Sequence, residues 1–257
     1  MTESAHRGVP DPVGTATMSS GLRDATNFHA WTFEWIRPFV TGRVLDIGGG
    51  TGNHFQHLTN LEMVSIDLSA DCVADLSARH SDCPNWSFRT GDITDPAVVT
   101  DLGEASFDTV LSCNVFEHIP DDALAFRHAA RLLKPGGRLV LILPAHQALY
   151  GCMDRLAGHY RRYDRRLAKE RLAACELVPK HLRYVNLVGA VGWFINNRVL
   201  SHDDLSSGSI NSQIHFFDHY AIPVLRALEG SRGMPFGQSL ICVGVKPATQ
   251  PHSLAST

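Results

Sequence analysis

The sequence predicts an α/β fold in which a parallel sheet is wound with helices on both faces. Three observations carry this expectation. Strand-length apolar runs alternate with helical stretches from residue 27 to residue 145. The first strand runs straight into glycines at 48, 49, 50 and 52. Four successive strand ends carry Asp46, Asp67, Asp92 and Asn114. Ligands of open parallel sheets bind at the carboxyl ends of the strands, so this edge is where a site is sought.

Taken in order, Phe28, Trp31, Trp35 and Phe39 recur at helical spacing and predict a helix over Asn27 to Phe39, ended by Pro38 and Thr41-Gly42. It either packs on the sheet edge or forms a lid, with Phe28 or Trp31 touching a substrate. Val44 and its neighbours form the first strand, and Asn53 to Leu58 begins a first crossover helix. Further strands are read at Met63 to Asp67, Trp86 to Thr90, Phe107 to Asn114 and Arg138 to Leu143. Helices are read at Asp71 to Arg79 and Asp121 to Leu133, the second stopped by Lys134-Pro135-Gly136-Gly137.

Past Pro144 the alternation breaks. Ala145 to Tyr163 is polar and aromatic, Asp164 to Cys175 is helical, and His181 to Val185 is a strand. Residues 186–220 read as a long insertion with a polar turn at Ser201 to Ser209, and Gln238 to Val245 is the last strand. Residues 1–20 and 248–257 read as disordered tails. Residues 21–247 form a single domain, in which 146–235 supplies a cap.

Composition narrows the function classes. The chain is 44% hydrophobic and 19% charged, with a net charge of −3, and no basic run marks a nucleic-acid partner. Val185 to Ile195, the longest apolar stretch, is too short to span a bilayer and carries Asn186, so no integral membrane association is expected. The six cysteines include no C-x-x-C pair and no zinc-like spacing. That predicts a reducing, cytoplasmic setting and no metal site. A small-molecule partner and a monomer or homodimer remain.

The glycine-rich turn carries the chemistry. Glycine lets backbone amides approach a ligand with no Cβ in the way, and a helix start behind the turn would favour polar or anionic groups. The dinucleotide pattern G-x-G-x-x-G fails here, because the position it needs is Asn53. Asp46 to Gly52 reads D-x-G-x-G-x-G instead. This resembles the first motif of the class I S-adenosylmethionine-dependent methyltransferases, and the successive strand ends resemble the motifs that follow, over residues 27–145.

The resemblance implies a Rossmann-like doubly wound sheet of seven strands with an antiparallel last strand, and a partial cap from insertions after strands five and six. It implies S-adenosyl-L-methionine as cofactor and S-adenosyl-L-homocysteine as product. Asp46, Gly48, Gly50 and Gly52 would form the loop along the methionine part. Asp67 would accept from both ribose hydroxyls, and Leu68 beside it would give an apolar face for adenine. Asp92 and the Ile93 amide would meet the adenine edge, although a strand-end Asp can equally be a helix cap. Asn114 would place its carbonyl near the ammonium and sulfonium, and Phe116 would cover the adenine or the methionine chain. Glu117-His118 reads as a turn into the next helix, with His118 packed.

Gly158-His159-Tyr160-Arg161-Arg162-Tyr163 and Pro235-Phe236-Gly237-Gln238-Ser239-Leu240 resemble one subgroup of bacterial methyltransferases acting on small molecules. The acceptor pocket is then expected among Phe28, Trp31, Tyr150, Arg161 and Tyr163, with His146 or His159 as general base for a hydroxyl acceptor. For Arg161-Arg162, a salt-bridged structural turn and an acceptor clamp both stand. Transfer to oxygen is expected ahead of nitrogen, sulfur or carbon. The alternatives are a non-catalytic adenosyl-binding module and a nicotinamide-dependent oxidoreductase.

Overall fold

The structure is a computed structural model that describes residues 24–195, 212, 214–229 and 234–248. The expected tail at 1–20, all but Ala248 of the expected tail at 248–257, and the polar turn at 201–209 lie outside the described residues. Seven strands form one sheet: β1 (Arg43–Ile47), β2 (Glu62–Asp67), β3 (Trp86–Thr90), β4 (Phe107–Cys113), β5 (Leu133–Pro144), β6 (Val178–Val185) and β7 (Ser239–Val245). Their spatial order is β3-β2-β1-β4-β5-β7-β6. β1 to β5 run parallel, and β7 is antiparallel to both β5 and β6. The expected seven strands and the antiparallel last strand are both present. The chain leaves β1 toward β2 and β3, then returns to place β4 on the other side of β1. That switch point opens a crevice at the carboxyl edge.

Side chains alternate across the sheet with period two. Leu45, Ile47, Val110 and Leu139 face one way, into a core shared with Val99, Phe126, Ala129 and Leu172. Val44, Leu111, Val140 and Ile142 face the other way, onto Phe33, Ile36 and Leu76. Burial on both faces is why these strands read as continuous apolar runs.

The helices around the sheet are α1 (Thr26–Ile36), α2 (Ala70–Arg79), α3 (Pro96–Leu102), α4 (Asp122–Leu132), α5 (Cys152–Leu156), α6 (Arg165–Ala173), α7 (Leu187–Ile195) and α8 (Ile222–Glu229). α2, α3, α4 and α6 start on Ser69, Asp95, Asp121 and Asp164, whose side chains accept from a first-turn amide. α1 is capped from afar, and α7 is capped both locally, by Asn186 Oδ1 accepting from the Gly189 amide at 2.8 Å, and from afar. Asp218 accepts from the Asn27 and Phe28 amides at 3.3 and 2.7 Å, and Glu229 accepts from the Asn186 and Leu187 amides at 3.0 and 2.8 Å.

Three expectations are corrected. The glycine loop leads into a single 3-10 turn, Phe55–His57, and not an α-helix; too few residues remain before β2 to repay helix nucleation. No helix dipole therefore backs the loop. β5 starts at Leu133, because Lys134 to Gly137 forms an irregular strand entry: Phe107 pairs with Leu133, and Thr109 with Arg138. Part of the presumed insertion is helical, as α7. Among the described residues no helix is long and apolar enough to cross a membrane.

Candidate active site at the carboxyl edge

The loop after β1 is held open for close approach. Gly48, Gly50 and Gly52 have φ of 79°, 52° and 74°, a region that disfavours side chains. A Cβ on Gly48 would collide with Val115 Cγ2, and one on Gly52 would lie 2.7 Å from Leu76 Cδ2. Asp67, at the end of β2, accepts from the Gly50 amide at 2.8 Å through Oδ2 and from the Ser69 amide at 2.9 Å through Oδ1. Its carboxylate thus fixes the loop and keeps further lone pairs on both oxygens for a diol. Leu68 beside it is 56% exposed, an apolar face for a flat ring. Asp92 accepts from the Thr94 amide at 2.7 Å and its hydroxyl at 2.8 Å, both on Oδ1. Asn114 has φ of 55° and donates its amide to Ile142, which aligns the end of β4 with β5. Ile93 sends its side chain into the core, and its carbonyl accepts from His128 Nδ1 at 2.7 Å.

Asp46 acts from behind the loop. It is 3% exposed and accepts from Ser65 Oγ at 2.8 Å. Burial, and secondarily the Asp67 charge, raise its pKa to about 7 against the hydrogen bond that lowers it. Folded protein therefore keeps a proton that the unfolded chain releases near pH 4, so the group's stabilisation is lost as pH rises from about 4 to about 7. Between pH 5 and 7, unfolding free energy should fall by about 2 kcal/mol more in the wild type than in Asp46→Asn. Parallel urea-unfolding curves for the two proteins would sink that assignment. Phe116 is a correction: it has no exposed surface and packs on Phe126 at 5.0 Å, inside the core.

The expected acceptor residues are mostly structural. Trp31 is 2% exposed and packs with half-buried Phe28 on Ile222 and Leu225 of α8. α1 instead meets the glycine loop through His29, whose Nε2 is 3.0 Å from Asn53 Nδ2. Tyr150 donates to the His159 carbonyl at 2.8 Å. Arg161 donates to the carbonyls of Ile119 and Pro120, which favours the structural-turn reading. Tyr163 is fully buried and donates to Asp122 at 3.0 Å. His146 lies between Phe236 and Tyr184, at 4.0 and 4.2 Å between ring centroids, and is packed on β6.

His159 is different. Its Nδ1 lies 2.9 Å from Asp154 Oδ1, and its Nε2 is 3.9 Å from Glu117 Oε1. Asp154 has no exposed side chain and also accepts from Arg162 Nε at 2.7 Å, the Gly151 amide at 2.9 Å and Trp193 Nε1 at 3.3 Å. Burial opposes its charge, yet the bonds from His159 and Arg162 outweigh it and hold the carboxyl below its ordinary range. Asp154 therefore orients the imidazole, with Nδ1 as the protonated nitrogen.

Glu117 is the residue the sequence reading passed over. It sits on the 3-10 turn Phe116–His118, three residues beyond Asn114. It is wholly buried, and neither carboxylate oxygen has a hydrogen-bond partner. Burial raises its pKa to about 7 despite the nearby His159. His118 also carries a buried, unpartnered Nδ1, and burial drives its pKa down to about 4. Donor atoms of Glu117, His118 and His159 all lie within 4.8 Å of one another. Two distant segments thus bring together three possible donors that no local spacing announces.

Comparison with known proteins agrees with this geometry. Residues 45–141 match the family described as methyltransferase domain. The chain is 36% identical over 151 residues to an arsenite methyltransferase of Aquipseudomonas alcaligenes, covering 47% of this chain and 43% of that protein. It is 34% identical over 111 residues to a ubiquinone biosynthesis O-methyltransferase of Albidiferax ferrireducens, covering 40% and 43%. It thus spans less than half the length of these curated relatives. Among solved structures, phosphoethanolamine N-methyltransferase 2 of Haemonchus contortus, in complex with S-adenosyl-L-methionine, superposes with a TM-score of 0.57 at 16% identity, over 85% of this chain and 52% of that one. Strand order, glycine loop and matched segment agree: residues 45–141 match a methyltransferase domain and lie on a Rossmann-like seven-stranded α/β sheet.

Proposed function

We propose that the protein transfers the methyl group of S-adenosyl-L-methionine to an oxygen of a small-molecule acceptor. The observation that carries this reading is the Asp67 carboxylate holding Gly50 at the mouth of a loop built for close backbone approach, within the matched segment. Gly48, Gly50, Gly52 and Asp67 would hold the methionine and ribose parts, Leu68 and Asp92 the adenine, and Asn114 the positively charged end. When bound, S-adenosyl-L-methionine supplies an electrophilic methyl group on sulfur.

The acceptor side is assigned to the turn at 116–118 and the segment around His159, beside the end of β4. Methyl transfer is governed by alignment of nucleophile, carbon and leaving group, and a hydroxyl acceptor must in addition be ionised. His159, fixed by Asp154, and Glu117 supply the electron pairs for that task, either by taking the proton or through a cation held between them. The relatives act on oxygen and on arsenic by name, so oxygen rests here on this ionising group. The G-H-Y-R-R-Y segment and the strand-seven entry support membership of the bacterial small-molecule subgroup.

Calorimetry with S-adenosyl-L-homocysteine and transfer of labelled methyl to a panel of phenols, alcohols, amines and thiols test the reading. Saturable binding with label entering a hydroxyl compound is expected. Binding without transfer to any acceptor class would indicate an adenosyl-binding module, and binding of NADH instead would indicate an oxidoreductase.

A further inference from the structure

We propose that Glu117, His118 and His159 bind one divalent transition-metal ion, which ionises the hydroxyl of the acceptor. The binding site stands on its own geometry, whereas the role of the ion rests on the proposed methyl-transfer reading.

Glu117 is the starting point. Buried polar groups almost always have a partner, and a carboxylate with none on either oxygen is costly unless something else compensates it. Asp154 shows the contrast within the same cluster, with donors on both oxygens. The 3.9 Å between Glu117 Oε1 and His159 Nε2 is too long for a hydrogen bond. Two donors can share an ion across that distance when each bond is about 2.0–2.2 Å. The His118 ring stands 4.7 Å from that of His159 at 85°, adding a third donor to the same space.

The surroundings match what metal sites require beyond their ligands. A ligating histidine usually gives its other N–H to a carboxylate, which fixes the ring and raises its basicity; Asp154 does this for His159, and Arg162 holds Asp154. Two carboxyl groups, Glu117 and Asp154, surround the imidazoles with a single guanidinium, Arg162, beside them, a setting in which a divalent ion is matched by acidic ligands. Two imidazoles and one carboxylate suit Zn²⁺, Co²⁺ or Fe²⁺ better than Mg²⁺ or Ca²⁺ and leave coordination positions open. The His159 side chain keeps 12% of its surface exposed, which gives a way in that Glu117 lacks.

An acceptor hydroxyl at an open position loses its proton near neutral pH, and the proton leaves to water along the exposed edge of His159. The oxygen lone pair then forms the bond to the methyl carbon as the carbon–sulfur bond breaks onto sulfur, so sulfonium becomes thioether and one proton is released per turnover.

The test uses the full chain, stripped with a chelator and titrated with Zn²⁺ by calorimetry and with Co²⁺ by visible absorption. One ion per chain is expected, with the ligand-field bands of a histidine and carboxylate site. Glu117→Gln and His159→Asn should each weaken binding at least about tenfold, with thermal melts verifying that each variant is folded; if one does not fold, the other decides. No saturable binding, or unchanged binding in the folded variants, overturns the site. Full-rate transfer by stripped protein overturns the ionising role and leaves His159 as base. Ion binding with no transfer to any hydroxyl compound supports the site and removes the methyl-transfer reading instead.

Discussion

Asp67→Ala should weaken S-adenosyl-L-homocysteine binding by at least about 100-fold. Two effects add. The variant loses the acceptor for the ribose hydroxyls, and it releases the Gly50 and Ser69 amides that the carboxylate holds at 2.8 and 2.9 Å. Hydrogen bonds to a charged group contribute about 1.5–3 kcal/mol each, so losing two corresponds to about 3 kcal/mol or more in affinity. The fold should survive, because Asp67 lies at the strand end and is only partly buried. Calorimetry giving equal affinity for variant and wild type would remove the cofactor from this edge.

The second large effect is expected at His159. Alanine there should lower methyl transfer by about 10²–10⁴-fold, the usual contribution of a positioned acid–base group, while S-adenosyl-L-homocysteine affinity stays as it was. His146→Ala should keep its turnover, since that ring is stacked between Phe236 and Tyr184. A reversed pattern, with His146 essential and His159 dispensable, would place the acceptor on the β6 side and refute the assignment. Full activity in both would mean that the acceptor arrives already ionised.

What could be read from the sequence divides along the range of the interactions involved. β1 to β4 and their terminal Asp46, Asp67, Asp92 and Asn114 were legible because apolar runs, glycines and strand-end acids are local signals. α2, α4 and α6 were legible for the same reason, since Ser69, Asp121 and Asp164 cap their own helices. α7 was read only as part of an insertion, although Asn186 caps it locally by accepting from the Gly189 amide; its other acceptor, Glu229, comes from a distant segment. Phe116 was misread because an aromatic residue after a strand looks the same in sequence whether it covers a ligand or fills the core. α3 could have been found from Asp95-Pro96, a cap followed by proline at the first helical position.

The candidate site shows the same division. Glycines and Asp67 announce the cofactor edge, but Glu117 meets His159 only after the chain has passed through α4 and β5. Nothing in the spacing of Glu117, His118 and Asp154 marks them as a set. The signal that was available is the pair Glu117-His118 directly after a strand end already nominated as functional. Arg162 could be anticipated as structural, and its bond to Asp154 explains why the G-H-Y-R-R-Y segment carries two arginines of unlike function: Arg161 ties down a turn, whereas Arg162 orients the orienter.

The position of β7 has a consequence for how this chain reaches its fold. β7 pairs with β5 along Arg138 to Pro144 and with β6 along Val178 to Val185, so it fills a slot between two strands that precede it. Until it arrives, the outer edge of β5, apolar from Leu139 to Leu143, has unpaired amides and carbonyls, a surface that invites pairing with another chain. Closing the loop from β5 to β7 must also be accomplished before those contacts form. Refolding should therefore pass through a sticky intermediate with β1 to β5 assembled and β7 undocked, and its yield should fall as protein concentration rises.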